Sequence, residues 1–142
     1  LFPLRGQDST TQKARLDRIV AAVDDYRPYD REGHPLGVYT EQRYRQDAEF
    51  ASGQLDSLKT VDPGLLSETD QISWDFFRFT LQNRIDRYRF GLHLNPIQAD
   101  QGFHLNLNFR IRPLANYSQV RNYLIMLEAI PDYAEQHFVL MR

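Results

Sequence analysis

Residues 70–90 read DQISWDFFRFTLQNRIDRYRF, and the periodicity of this stretch decides the fold class. Wound as a helix at 100° per residue, it carries two apolar stripes on opposite sides. Ile72, Phe76 and Phe79 form one stripe; Trp74, Phe77, Leu81, Ile85 and Tyr88 form the other. A surface helix needs only one apolar face, so two faces predict an element sandwiched between layers at the centre of the core. Ser67-x-x-Asp70 just upstream is a capping-box pattern that starts this helix, which is predicted to run to Phe90. Its second stripe calls for a partner, part of which is expected to lie outside this chain.

Working outward, the flanking sequence adds helices. Ser9 and Gln12 suggest a capping box, followed by Leu16, Ile19, Val20 and Val23 on one face. That helix should end before Pro28, since the residue preceding a proline is pushed out of the α region. YDREGHPLG (29–37) reads as a loop. Tyr44, Ala48, Ala51, Leu55 and Leu58 then recur at helical spacing until Asp62, Pro63 and Gly64 stop the run. Further on, Asn116 and Gln119 cap a helix whose face is Val120, Tyr123, Leu124 and Leu127. Pro131 suits the first position of a last helix lined by Tyr133, His137, Leu140 and Met141. That helix stops without a glycine or other stop signal, as a helix cut short would.

Between the aromatic helix and these last two, the period changes. Phe103, Leu105, Leu107, Phe109 and Ile111 alternate with His104, Asn106, Asn108, Arg110 and Arg112, the pattern of a strand with one buried face. A lone strand leaves its backbone groups unpaired, so Leu92–Asn95 is expected to return as a short hairpin arm, or a segment outside this chain to pair with it.

Composition excludes several function classes. The 142 residues are 42% hydrophobic and 25% charged, with net charge −2 and no cysteine. That is a globular composition, long enough to bury roughly 70% of the unfolded surface. A pI near 6.1 argues against a nucleic-acid surface. Without cysteine there are no disulfides or thiolate metal sites. No apolar run approaches the roughly 20 residues needed to span a bilayer.

No complete catalytic or metal motif is present. The four histidines, His34, His93, His104 and His137, include no H-E-x-x-H and no i, i+4 pair suited to zinc. The arginines of residues 78–89 scatter between the apolar stripes and read as a solvated flank, not a phosphate-binding surface. Asp24, Asp25, Asp30 and Glu32 read as solubilising surface. The most function-like segment is HLNPIQADQGFHLN (93–106), which gathers amides, a proline, a glycine and two histidines between a buried helix and an amphipathic strand. Its candidate cleft residues are His93, Asn95, Gln98, Gln101, Gly102, His104 and Asn106, weighed against a plain hairpin turn. An open strand edge there would also accept an extended peptide.

The order L-S-x-x-D-Q-I-S-W-D-F-F-R-F, then F-G-L-H-L-N-P-I-Q with a following glycine, then R-P-L and Y-x-x-V-x-N-Y-L-x-x-L-E-A-I-P-D-Y resembles the bacterial family catalogued as domain of unknown function 885. The resemblance covers about Tyr44–Arg142, with only a loose match upstream through LFPLRGQD. It implies a largely helical, zinc-metallopeptidase-like protein several times longer than this chain, often an envelope lipoprotein, whose zinc motif lies in the C-terminal half. No part of that motif maps here, so no catalytic or metal-binding residue carries over. Pro96, Gln98 and Gly102 match the family's loop after the aromatic helix. The regular alternation of 103–111 departs from the family pattern.

The expected fold is therefore mainly α: an antiparallel or orthogonal bundle of about five helices with one short β-strand or hairpin near 92–112. Residues 1–142 are expected to form a single helical domain, the N-terminal part of a longer protein, with 1–37 a looser helix and loop and 38–142 the family-like core. The expected function is to wall a substrate cleft without being catalytic alone; the alternative is a stand-alone module binding a peptide or protein by a strand edge. Expected partners are the missing C-terminal part, a peptide substrate or a second copy of the chain, with no nucleic acid and no transmembrane segment. No cofactor is expected in this chain, zinc belonging to the missing part. The expected location is the cell envelope, periplasmic or secreted, with the cytoplasm as the alternative.

Overall fold

The structure is a computed structural model that describes residues 5–97, 102–105, 107 and 113–142, with side chains from Asp8 onward. The protein is mainly α. Its helices are α1 (Arg5–Asp24), α2 (Glu41–Lys59), α3 (Glu68–Arg89), α4 (Tyr117–Glu128) and α5 (Ile130–Leu140), with 3-10 turns at Pro63–Leu65 and Leu92–Leu94. Among the described residues no helix is long and apolar enough to cross a membrane. The chain divides into two compact units: Leu1–Arg27 with Gln46–Arg87, and Pro28–Arg45 with Tyr88–Arg142.

The first unit has an aliphatic core. Leu16, Ile19 and Val23 of α1 meet Ala51, Leu55 and Leu58 of α2, closed by Val61, Leu66 and Leu81. These are the spacings read from the sequence. α1 begins a turn earlier than the Ser9 cap predicts, so Ser9 lies inside the helix. Gln12 caps nothing on α1; its side-chain oxygen accepts the Asp62 amide at 3.0 Å. Ser67 does cap α3, accepting from the Asp70 amide at 3.2 Å. Asp70 departs from a full capping box, because its carboxylate accepts a hydrogen bond from the Ser67 hydroxyl at 2.6 Å.

The two stripes of α3 meet different fates in this unit. Leu81 is fully buried, with Trp74, Phe77 and Ile85 packed against the core, and the Trp74 indole donates to the Leu58 carbonyl at 3.2 Å. The opposite stripe faces solvent: Ile72, Phe76 and Phe79 are 71%, 62% and 67% exposed.

The second unit packs Leu36, Phe103 and Tyr133 together with Tyr39, Leu107, Met126, Ala129, Ile130 and Ala134. Asn116 caps α4 by accepting from the Gln119 amide at 3.0 Å. The face predicted for α4 is corrected. Val120, Leu124 and Leu127 are exposed, and Met126 and Ala129 pack inward instead. α4 is apolar on several sides, so periodicity alone does not choose which side is covered. On α5, Tyr133, His137 and Leu140 are buried as predicted, with Pro131 in the first turn, while Met141, predicted to line the same helix, is its exposed C-cap.

The predicted strand is corrected where it can be seen. Phe103, His104, Leu105 and Leu107 lie in turns, and the turn closes with the Leu105 amide on the Gly102 carbonyl at 3.1 Å. Residues 106 and 108–112 lie outside the described residues. The hairpin reduces to one isolated antiparallel bridge, Ile97 to Gly102, with the Phe103 amide on the Pro96 carbonyl at 3.2 Å. Phe103 is drawn out of alternation because its ring and its carbonyl are both taken by α5.

Candidate functional site

The segment singled out by its composition begins where α3 ends. Gly91 adopts the left-handed conformation, φ 66° and ψ 24°, which side chains other than glycine occupy at a cost. The reversal produces the turn Leu92–Leu94 and puts alternate residues on opposite sides. Leu92 and Leu94 are half exposed, while His93 is buried.

His93 enters a socket built by the start of α2 and the end of α3. Its ring lies 5.1 Å from that of Tyr88 in a stacked arrangement and 4.9 Å from that of Tyr44. Nε2 is 2.5 Å from one carboxylate oxygen of Glu41, and the other oxygen accepts the Tyr88 hydroxyl at 2.9 Å. Tyr88 first and His93 second hold the Glu41 carboxyl below its ordinary value. With Nε2 engaged by this carboxylate, Nδ1 is the remaining polar atom of the ring. That Nδ1 is buried without a hydrogen-bond partner among the described residues. A carboxylate-oriented imidazole is also how general bases are positioned. Here the side chain is only 4% exposed, so the geometry is that of an anchor fixing the turn.

Beyond the anchor, Asn95 and His104 are exposed. Gly102 is tightly enclosed: a Cβ there would stand 2.8 Å from the His104 ring and 3.2 Å from the Pro96 carbonyl oxygen. The structure thus places His93, Asn95, Gly102 and His104 on one turn-rich segment, with His93 beneath and Asn95 and His104 outward. Gln98, Gln101 and Asn106 lie outside the described residues. The two histidines flanking the loop play different parts, since His93 is locked on Glu41 while His104 stands in solvent.

A second socket holds the far end of the segment. The Tyr133 hydroxyl donates to the Phe103 carbonyl at 3.1 Å. The Phe103 ring stacks on His137 at 4.4 Å and 13°, with Tyr39 4.3 Å away on that imidazole. His137 Nδ1 donates to the Tyr133 carbonyl at 2.7 Å. Burial pushes His137 below its ordinary value, partly opposed by that hydrogen bond. Tyr39 is fixed in turn by its amide on the Gln136 side chain at 2.6 Å.

Sequence reasoning missed Glu41, Tyr39, Tyr88 and Tyr133 as the partners of this segment. Glu41 and His93 are 52 positions apart, and Tyr39 and Gln136 are 97 apart, so no local pattern joins them. The family resemblance puts its zinc outside this chain, and the described residues assemble no comparable set of ligands. No group of three or more His, Asp or Glu side chains among them is placed to hold a metal ion, and His93 Nε2 is already engaged with Glu41.

The family described as "Bacterial protein of unknown function (DUF885)" matches residues 21–142. No curated protein and no solved structure matches at a significant level.

Proposed function

The chain belongs to the bacterial family of unknown function DUF885, and from that premise we propose that it is the helical cleft wall of a zinc-peptidase-like envelope protein, without catalytic activity of its own. The observation that carries this reading is the bare stripe of α3, with Ile72, Phe76 and Phe79 exposed at 71%, 62% and 67%. Contiguous apolar surface of this kind usually marks a place where more protein packs. In this reading it is covered by the metal-bearing half of the same protein, periplasmic or secreted, where zinc would activate water for peptide hydrolysis.

The segment after α3 then faces substrate. Leu92, Leu94 and Ile97 offer apolar surface, Asn95 and His104 offer polar groups beside it, and the His93 anchor keeps the segment from collapsing inward. That mixture suits an extended peptide, with apolar contacts supplying affinity and a few polar groups fixing orientation. Recognition through a strand edge has less support, because Phe103–Leu105 lie in turns.

The test compares the complete gene product with residues 1–142. The complete protein is expected to carry stoichiometric zinc and to cleave unstructured peptides, while residues 1–142 alone do neither. Phe76→Ser with Phe79→Ser should lower the melting temperature of the complete protein and leave that of residues 1–142 almost unchanged. A complete protein without zinc or cleavage would sink the peptidase reading. A complete protein indifferent to the double substitution would sink the packing role of the stripe.

A further inference from the structure

A second candidate site lies in the first unit and shares no residue with the segment after α3 or its two sockets. α1 and α2 border an open cleft of about 310 Å³ lined by Arg15, Arg18, Ile19, Gln54, Ser57 and Thr60. That volume is at the lower end of the roughly 300–1,000 Å³ typical of small-molecule sites. The two walls differ chemically. α1 presents Arg15 and Arg18, three residues apart and so neighbours on one helical face. Neither has a carboxylate partner among the described residues. Asp17 is engaged by Lys13, and Asp56 by Lys59 at 2.8 Å. Arg18 spends only Nε, on the Ala14 carbonyl at 3.2 Å, which leaves its two terminal amino groups.

α2 presents the opposite character. The Ser57 hydroxyl donates to the Gly53 carbonyl at 3.0 Å and the Thr60 hydroxyl to the Ser57 carbonyl at 2.7 Å. With their hydrogens committed, both oxygens face a ligand as acceptors. Gln54 adds an amide able to donate and accept. The carboxyl end of α2 also favours donors over anions, so an anion belongs on the α1 wall and hydroxyl groups on the α2 wall. Ile19, buried between them, offers an apolar floor.

We propose that this cleft binds a small phosphorylated polyol, with the phosphate on Arg15 and Arg18 and the hydroxyls on Ser57, Thr60 and Gln54. Paired guanidinium forks suit a phosphate dianion, which accepts several charge-assisted hydrogen bonds at once. Free glycerol phosphate carries that dianion, and the headgroup of phosphatidylglycerol offers the same pattern of phosphate beside hydroxyls as a diester monoanion.

The experiment is a titration of the 142-residue chain with glycerol 1-phosphate, inorganic phosphate and phosphatidylglycerol vesicles, read by calorimetry and by amide shifts in NMR. Saturable shifts at Gln54, Ser57 and Thr60 are expected, with glycerol 1-phosphate several-fold tighter than inorganic phosphate. Arg15→Ala with Arg18→Ala should weaken it about tenfold or more, as loss of charged hydrogen bonds does. Arg87→Ala with Arg121→Ala removes the same charge elsewhere and should leave the affinity unchanged. Binding only to vesicles, lost in the Arg15/Arg18 variant, would identify the lipid headgroup as the source. No saturable binding to any probe, equal affinity for the two free phosphates, or affinity undiminished in the Arg15/Arg18 variant would each overturn the proposal.

Discussion

The two units are built from different materials. The buried core of the first is wholly aliphatic: Leu16, Ile19, Val23, Leu55, Leu58 and Leu81 with small residues between them. The second buries His93 and His137 and is organised by Tyr39, Phe103 and Tyr133. Aliphatic packing is non-directional, so it follows from any helix with the right stripe. An aromatic and histidine core is directional, because each buried polar atom needs a particular partner. The candidate substrate segment is anchored in the directional unit, where geometry is set by hydrogen bonds such as Tyr133 to Phe103 and His93 to Glu41.

The sharpest test uses the two faces of one helix. Leu81→Ala empties a site that is fully buried in the first unit and should cost about 2–5 kcal/mol. Phe79→Ser, two positions away on the bare stripe, should change stability by no more than about 0.5 kcal/mol in this chain. Guanidinium unfolding followed by Trp74 fluorescence reads both, since Trp74 packs against the same core. Comparable losses from the two substitutions would mean that the bare stripe is covered in solution.

That contrast also explains what was legible in the sequence. The core of the first unit could be read because Leu16, Ile19 and Val23, or Ala51, Leu55 and Leu58, repeat within one helix. Ser67 and Asn116 were readable as caps for the same reason, since their partners lie three residues on. The candidate segment was found by composition, but its anchors were not, because Glu41 and Tyr133 come from distant sequence. The strand misreading has a related cause. Period-two alternation records which side chains are apolar, and the pull of α5 on Phe103 is invisible to it. For α4, Val120, Leu124 and Leu127 against Met126 and Ala129 was a choice between apolar faces that only packing decides.

If the second unit depends on direction, losing one oxygen should be felt. Tyr133→Phe keeps the ring and leaves the Phe103 carbonyl without its donor, a loss of about 1–3 kcal/mol for a buried group. The Phe103 amide should then exchange faster with solvent. An unchanged stability and exchange rate would show the unit held by ring packing alone.

The directional unit should also respond to pH through its buried histidine and its anchored carboxylate. Burial holds His137 below its ordinary 6.5, so below that pH the unfolded chain takes a proton that the folded chain resists. Stability contributed by neutral His137 is therefore present above pH 6.5 and declines as pH falls toward the lower folded value. Glu41 is also held below its ordinary 4.5, and its contribution is present above that pH and lost as pH falls through its folded value. Denaturant midpoints measured across pH 7 to 3 should fall in two stages, with His137→Phe flattening the upper and Glu41→Gln the lower. A variant that keeps its stage would remove that residue from the account.

The smallest effects come from two glycines, one in each unit, that should respond with opposite sign. Gly53 lies inside α2, where an added Cβ meets nothing within 4 Å, so Gly53→Ala should stabilise by about 0.5–1 kcal/mol through the entropy of the unfolded chain. Gly91 has φ +66°, a conformation in which alanine is strained, so Gly91→Ala should cost about 1–2 kcal/mol. Space is not the issue at Gly91, because the nearest atom to a Cβ is a Leu94 methyl carbon at 3.4 Å, an ordinary contact. The loss is a backbone term, and it tests whether the turn that carries His93 inward is held in place by its anchor. If Gly91→Ala proved neutral while the His93 ring signals moved, the turn would have relaxed and released the anchor. If it proved costly with those signals unmoved, the Glu41, Tyr44 and Tyr88 socket holds the turn against its own backbone strain, as a directional core should.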